Sequence, residues 1–371
     1  MEFVKGVISL PSSPKRTLMR LLHSKYRLPF LFLFLFPLTS RSQSSLGNNN
    51  SAFIGNNKAA CITNAGKLLD EVFQLMERNY YRRDAVIWDT LQQAARNRLE
   101  ASINCEAAYE VINWCFAQMK ERHSFVMPAI KAATYNNDTS FMRFTPDLSD
   151  LVGDIRYDRA GDSIAYLTLP WINSSDEAVC ALMADSIQQV IADLDNGRIH
   201  TWVIDLRQNT GGNCWPMIAG IGPLLGEGVC GYFVRNNEKV PFSYQNGTAF
   251  QGKHPRCTLN KPAYTLRAAP KRIIVLTGSR TSSSGEIIAL AFKGKEGVQL
   301  IGEPTAGLTT ANATYQLSNN AMLVLSVCQE ADRNGVICEG RIRPDIWIDR
   351  KLPLIWKELI VDQEFLQQLS L

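Results

Sequence analysis

The chain has 371 residues, 46% of them hydrophobic and 20% charged, with a formal net charge of only +4. A near-neutral balance, with no Lys/Arg run interleaved with aromatics, disfavours nucleic acid as a partner. Nine cysteines (61, 105, 115, 180, 214, 230, 257, 328 and 338) show no Cys-x-x-Cys and no metal-like spacing with histidine. No metal or cofactor is expected; in an exported chain some cysteines could pair, while those inside apolar patterns read as buried free thiols.

A basic segment (Lys15, Arg16, Arg20, Lys25, Arg27) precedes an apolar block of 11 residues, Leu28 to Leu38, and then Thr39-Ser40-Arg41-Ser42-Gln43. The block is too short for a bilayer, which takes roughly 20 residues. The pattern predicts an export signal over 1–42, with Met19 as an alternative start and a retained anchor as the competing reading, and an exported protein without a stable membrane span. A Ser/Asn/Gly-rich stretch follows, so 43–58 is expected to be a flexible lead-in. Leu68, Leu69, Val72, Phe73 and Met76 form one helical stripe; Trp88, Leu91 and Ala95 start a second; Tyr109, Ile112, Phe116 and Met119 form a third. These predict a helical N-terminal domain over 59–126, ending in Lys120-Glu121-Arg122-His123-Ser124.

Beyond it, Gly153 to Leu169 reads as a strand pair turning at Gly161-Asp162. Val179 to Leu194 is a strongly periodic helix, and Trp202 to Leu206 the next strand, so a right-handed parallel crossover is expected. Residues 233–261 read as hairpins or an excursion over the surface. Ile273–Leu276, Val298–Ile301 and Met322–Val327 are further strands, with a helix from Gly285 between the first two. Arg343-Pro344-Asp345 breaks the pattern before a helical tail, 351–371. The fold class is α/β, a mixed twisted sheet with flanking helices over 127–350, preceded by the helical domain.

Three stretches have chemical potential. The first is the turn Thr281-Ser282-Ser283-Ser284, which joins a strand to a helix. Free N–H groups and the positive dipole end favour developing negative charge there, as a nucleophilic serine requires. Taken alone, the same residues read more readily as a capping box, Ser283-Ser284-Gly285-Glu286. A nucleophile needs a base, and of four histidines His23 leaves with the signal, while His200 and His254 lie in a turn and a polar loop. His123 remains, though a helix-end histidine is also a dipole partner. The third is Asp205-Leu206-Arg207-Gln208-Asn209-Thr210-Gly211-Gly212, a strand end whose Gly-Gly turn can hold an oxyanion. Asp205 and Arg207 read as a buried pair pinning that strand end.

Asp-Leu-Arg-x-Asn-x-Gly-Gly, then Thr-x-Ser-Ser-Gly-Glu, then Gly-Glu-Pro-Thr-Ala-Gly (302–307), then Pro344-Asp345, resembles the tail-specific, or C-terminal-processing, serine protease family. The helical block ending in His-Ser is similar to the histidine-using, tricorn-like branch. The resemblance implies a ClpP/crotonase-like core, Ser283 as nucleophile, His123 as base, and backbone N–H groups of Ser284 and of Gly211 or Gly212 as oxyanion donors. A Ser–Lys dyad is excluded because Leu308 stands where that branch has lysine. The implied acid is Glu339, one residue closer to Pro344 than the family pattern, with Asp332 as alternative. Only Met127 to Val152 separates the helical block from the core, too little for the PDZ module many members insert, so tail specificity is not implied. The expectation is an exported serine endopeptidase acting on peptides or proteins. The alternative is a protease-like protein that binds peptides or apolar ligands without turnover; an α/β-hydrolase esterase lacks its Gly-x-Ser-x-Gly elbow.

Overall fold

The computed structural model describes residues 6–8, 50–101, 107–135 and 148–369. The expected export signal lies outside these, apart from Gly6–Ile8. Helices α1 (Asn50–Asn79), α2 (Trp88–Glu100) and α3 (Ala107–Gln118) form the N-terminal block. The first begins inside the stretch expected as a flexible lead-in, which therefore holds for 50–58 only as composition. Once a helix is nucleated, each added residue gains one hydrogen bond at little further cost. Leu69, Val72, Met76, Ala95, Ile112 and Phe116 pack into one core, which also takes in Leu323 and Leu325 from the sheet. Burying each large apolar side chain is worth about 1.5–3 kcal/mol, so this shared core fastens the block to the sheet.

Two sheets follow. The first contains β1 (Gly6–Ile8), β3 (Ile155–Ala160), β4 (Ile164–Thr168), β5 (Thr201–Asp205), β10 (Arg272–Thr277), β11 (Val298–Gly302) and β14 (Ile346–Trp347), in the order β1-β3-β4-β5-β10-β11-β14. From β4 to β14 the neighbours are parallel, while β1-β3 and β3-β4 are antiparallel. All five residues of β5 are buried, which explains a continuous rather than alternating apolar run. Between β4 and β5 the chain crosses through α6 (Glu177–Leu194), capped by Asp176, whose carboxylate accepts from Val179 N–H at 2.9 Å.

The second sheet is antiparallel: β12 (Thr310–Gln316), β13 (Met322–Ala331), β6 (Gly228–Arg235), β7 (Glu238–Gln245), β8 (Thr248–Gln251) and β9 (His254–Thr258) lie side by side, and β2 (Phe125–Met127) pairs with β13. The architecture is the expected mixed α/β fold with flanking helices and a helical N-terminal region. Helices α4 (Ala129–Tyr135) and α5 (Leu148–Leu151) lie between β2 and β3, and α7 (Cys214–Leu225) and α8 (Ser284–Phe292) cover the parallel sheet. Short helices α9 (Trp356–Leu359) and α10 (Gln363–Leu369) close the described chain. Among the described residues no helix is long and apolar enough to cross a membrane, and Cys115, Cys180, Cys214, Cys230, Cys257, Cys328 and Cys338 are free thiols.

Candidate active site

The parallel strands β5 and β10 lie in register, Leu276 beside Asp205, so the loops leaving their C-terminal ends meet. Those loops are the Gly-Gly turn and the hydroxyl run. Three of the four hydroxyls sew them together: Thr281 Oγ1 donates to Leu206 O (2.8 Å), Ser282 Oγ to Thr210 O (3.0 Å) and Ser284 Oγ to Gly212 O (2.6 Å). The fourth, Ser283, points elsewhere. Its backbone has φ +52° and ψ −120°, a conformation costly for any residue with a Cβ, held by the bonds on either side. Glu286 accepts from Ser283 N–H at 2.9 Å, the return half of a capping box, but the Ser283 hydroxyl makes no N-cap bond.

That hydroxyl lies 2.8 Å from His123 Nε2. His123 reaches it because α3 ends in a Schellman motif: Glu121 N–H donates to Phe116 O (2.8 Å) and Lys120 N–H to Ala117 O (3.0 Å), with Lys120 at φ +55°. The chain then reverses into β2, with His123 buried at 8% exposure. Burial pushes the imidazole pKa down to about 4 despite the opposing charge of Glu121. His200 and His254 are exposed, and His254 sits in β9 instead of a loop.

The Gly-Gly turn stands beside the serine. A Cβ on Gly211 would lie 2.9 Å from Ser283 Cβ, and one on Gly212 would lie 2.1 Å from Ile172 O. With φ of +102° and +103°, both positions exclude side chains. Gly211 N–H is consumed by Asn209 Oδ1 at 2.9 Å. Gly212 N–H and Ser284 N–H donate to nothing among the described residues, so of the three expected oxyanion donors these two are available. Asn209, 1% exposed, was not singled out from sequence. It also accepts from Ser282 N–H (3.1 Å) and donates to Leu169 O and Pro170 O (3.1 Å each), bracing both loops. Its place between Arg207 and the glycines was the available signal.

Neither acid candidate meets the imidazole. Glu339 is 68% exposed, accepts from Gln329 Nε2 at 3.0 Å and lies 4.0 Å from Arg82. Asp332 caps its own turn, accepting from Asn334 N–H (2.9 Å) and Val336 N–H (3.0 Å). Both sit in a tight turn or its return, where local backbone N–H groups and solvent outcompete a distant ring. His123 Nδ1 lies 2.9 Å from Thr310 Oγ1 instead. Leu308, where the Ser–Lys branch carries lysine, gives its N–H to Glu286 Oε2 at 2.7 Å.

Asp205 and Arg207 do not touch the serine. They form a buried bidentate pair, with Arg207 Nη2 on Asp205 Oδ2 at 2.6 Å and Nε on Oδ1 at 2.9 Å. Tyr166 O–H donates to the same carboxylate at 2.9 Å, and Arg207 Nη1 reaches Leu352 O and Pro353 O at 3.0 and 2.8 Å.

A cleft of about 1030 Å³ opens over Ser283 and His123, walled by Phe125, Trp215, Ile287, Leu308, Val324 and the run from Thr310 to Thr314. Its wall also includes Glu330, which is fully buried with neither carboxylate oxygen hydrogen-bonded among the described residues. Burial, then the charge of Glu286, pushes its pKa well above the usual carboxylate range. A raised folded-state pKa stabilises below the unfolded value of about 4.3 and loses that contribution as pH rises. Glu330→Gln is therefore expected to raise Tm by a few degrees at pH 7–8, with the gain vanishing near pH 4; a thermal melt across that range checks it. Among the described residues no group of three or more His, Cys, Asp or Glu could hold a metal.

The family model "Peptidase family S41" matches residues 163–348. The nisin-resistance protein of Lactococcus lactis is 32% identical over 48% of this chain and 55% of its own length. A carboxyl-terminal-processing protease of Synechocystis is 25% identical over 55% of this chain and 42% of its own. The chain thus spans about half the length of the curated relatives it matches. A lipoprotein from Streptococcus agalactiae, 22% identical, shares the fold with a TM-score of 0.60, covering 77% of this chain and 92% of that one. The matched span runs from β4 to the end of the parallel sheet and holds both loops of the site, and on that ground the chain belongs to peptidase family S41, the C-terminal-processing serine peptidases.

Proposed function

We propose that this protein is an exported serine endopeptidase in which Ser283 is the nucleophile and His123 the general base. The observation that supports this most is the 2.8 Å contact between Ser283 Oγ and His123 Nε2, made across 160 residues of sequence. Ser283 Oγ attacks the scissile carbonyl carbon while its proton passes to Nε2. The carbonyl oxygen, now negative, is held by the N–H groups of Gly212 and Ser284. Collapse of the tetrahedral intermediate breaks the C–N bond, and Nε2–H protonates the leaving amine. Water then repeats the sequence on the acyl-enzyme. The open cleft and its mixed lining suit an extended peptide, and the basic-then-apolar N-terminal sequence and the lipoprotein among its structural neighbours support export. The helical domain at 59–126 supplies the base and the core at 127–350 the nucleophile.

The test is a fluorophosphonate probe followed by mapping of the modified peptide. Label on Ser283 supports the enzyme; folded protein that takes no label favours a protease-like binder.

The buried imidazole sets the pH dependence. His123 is neutral, and so competent as a base, down to about pH 4. The acid limb of kcat/KM is expected near pH 4 instead of the ~6.5 of an unperturbed histidine. In the other direction, the unfolded chain binds a proton that the folded one refuses between those values, so stability falls as pH drops from about 6.5 toward 4. A pH–rate profile with its limb at 6.5 would contradict the buried base.

A further inference from the structure

His123 lacks a carboxylate at Nδ1, yet its ring is anchored. Thr310 Oγ1 lies 2.9 Å from Nδ1, Ser326 Oγ lies 3.1 Å from Thr310 Oγ1, and Glu121 Oε1 lies 3.2 Å from Ser326 Oγ. Thr310 opens β12 and Ser326 lies on the adjacent β13, so neighbouring strands carry the two hydroxyls. Glu121 stands two residues before His123, at the Schellman turn. Resting on the peptidase reading of Ser283 and His123, we propose that Glu121 is the acid of this site, a positioning residue that acts on the imidazole through Ser326 and Thr310.

Hydrogen-bond direction carries the argument. For Nε2 to accept the Ser283 proton, the ring must hold its own hydrogen on Nδ1. Thr310 Oγ1 then accepts that N–H, so its own hydrogen is free for Ser326 Oγ. Ser326 in turn has its hydrogen for Glu121 Oε1 or for Asn312 Oδ1, which is 3.0 Å away. Asn312 is oriented by its Nδ2, which donates to His123 O at 3.1 Å. Each hydroxyl accepts once and donates once, and both oxygens that can take the last hydrogen, Glu121 Oε1 and Asn312 Oδ1, only accept. The other contacts of the Glu121 carboxylate are donors too: Tyr80 O–H at 3.1 Å, His123 N–H at 2.6 Å and Ser124 N–H at 3.0 Å. Run backward, the series would start from a carboxylate with no hydrogen to give. One tautomer is thereby selected. When Nε2 takes the serine proton, the imidazolium charge is met by dipoles already aligned toward a negative end.

The test uses the full-length protein and a fluorescent fluorophosphonate, whose reaction forms the Ser283 Oγ–P bond, breaks P–F and delivers the serine proton to His123. The maximal inactivation rate, kinact, and the half-saturating concentration, KI, are read for each variant, with Tm as a check on folding. Outer groups that orient metal-bound imidazoles cost about 10–100-fold when lost, and the same scale is taken for this ring. Thr310→Val is expected to lower kinact toward the upper end of that range, and Ser326→Ala and Glu121→Gln toward the lower end, with KI unchanged. Thr310→Ser, which keeps the hydroxyl, is expected to restore the rate. If Glu121→Gln does not fold, Ser326→Ala carries the comparison. Wild-type kinact in Thr310→Val, or in both Ser326→Ala and Glu121→Gln, overturns the relay while leaving the peptidase reading intact. Wild-type protein that is never labelled overturns that reading, and the relay with it.

Discussion

Ser283→Ala is expected to abolish fluorophosphonate labelling and to lower peptide turnover by about three orders of magnitude or more. Folding should be unaffected, because among the described residues the hydroxyl's one hydrogen bond is to His123. Its neighbours differ. Thr281, Ser282 and Ser284 each spend their hydroxyl on a carbonyl of the 206–212 segment. Ser282→Ala is therefore expected to cost about 1 kcal/mol of stability without removing the nucleophile. His123→Ala should match Ser283→Ala in rate, and the double variant should be no worse than either, since the two act as a unit. A Ser283→Ala protein with full peptidase activity would refute the assignment.

Asp205→Asn is expected to produce the largest loss of stability. The carboxylate is 5% exposed and is held by both Arg207 contacts and by Tyr166 O–H. Removing one partner of a buried pair strands the other charge, a cost of about 3–5 kcal/mol. In a domain of this size that corresponds to a fall in Tm of roughly 2–4 °C per kcal/mol. The effect should also spread along the chain. Arg207 holds the carbonyls of Leu352 and Pro353, and Tyr166 stacks on Trp356 with ring centroids 4.6 Å apart. Loss of the pair should loosen the segment beyond residue 350, read as faster limited proteolysis there. An Asp205→Asn protein with wild-type Tm would show that the pair stabilises little.

Much of the site was legible because it is local. The hydroxyl run, the Gly-Gly turn and the strand ends that carry them are contiguous stretches whose backbone demands dictate residue type. Gly212 is glycine because a Cβ would strike Ile172 O, and the strand–turn–helix around Ser283 is written in β-branched and then periodic apolar residues. The partner of the imidazole was not legible. Thr310 stands 187 residues from His123, in a strand where threonine is ordinary, and no spacing marks it. Glu339 fitted a motif, but its side chain is turned to solvent beside Gln329 and Arg82.

Residue order alone therefore specified the α/β core, the serine turn and the glycines, since secondary-structure period and backbone conformation are encoded within a few neighbours. Ser283 and His123 were named from the sequence, but their 2.8 Å contact, the separation of Glu339 and Asp332 from the ring, and the hydroxyl path to Glu121 depend on how the α1–α3 core packs onto β13. Contacts between segments more than a hundred residues apart depend on packing and strand register, which no short stretch of sequence contains.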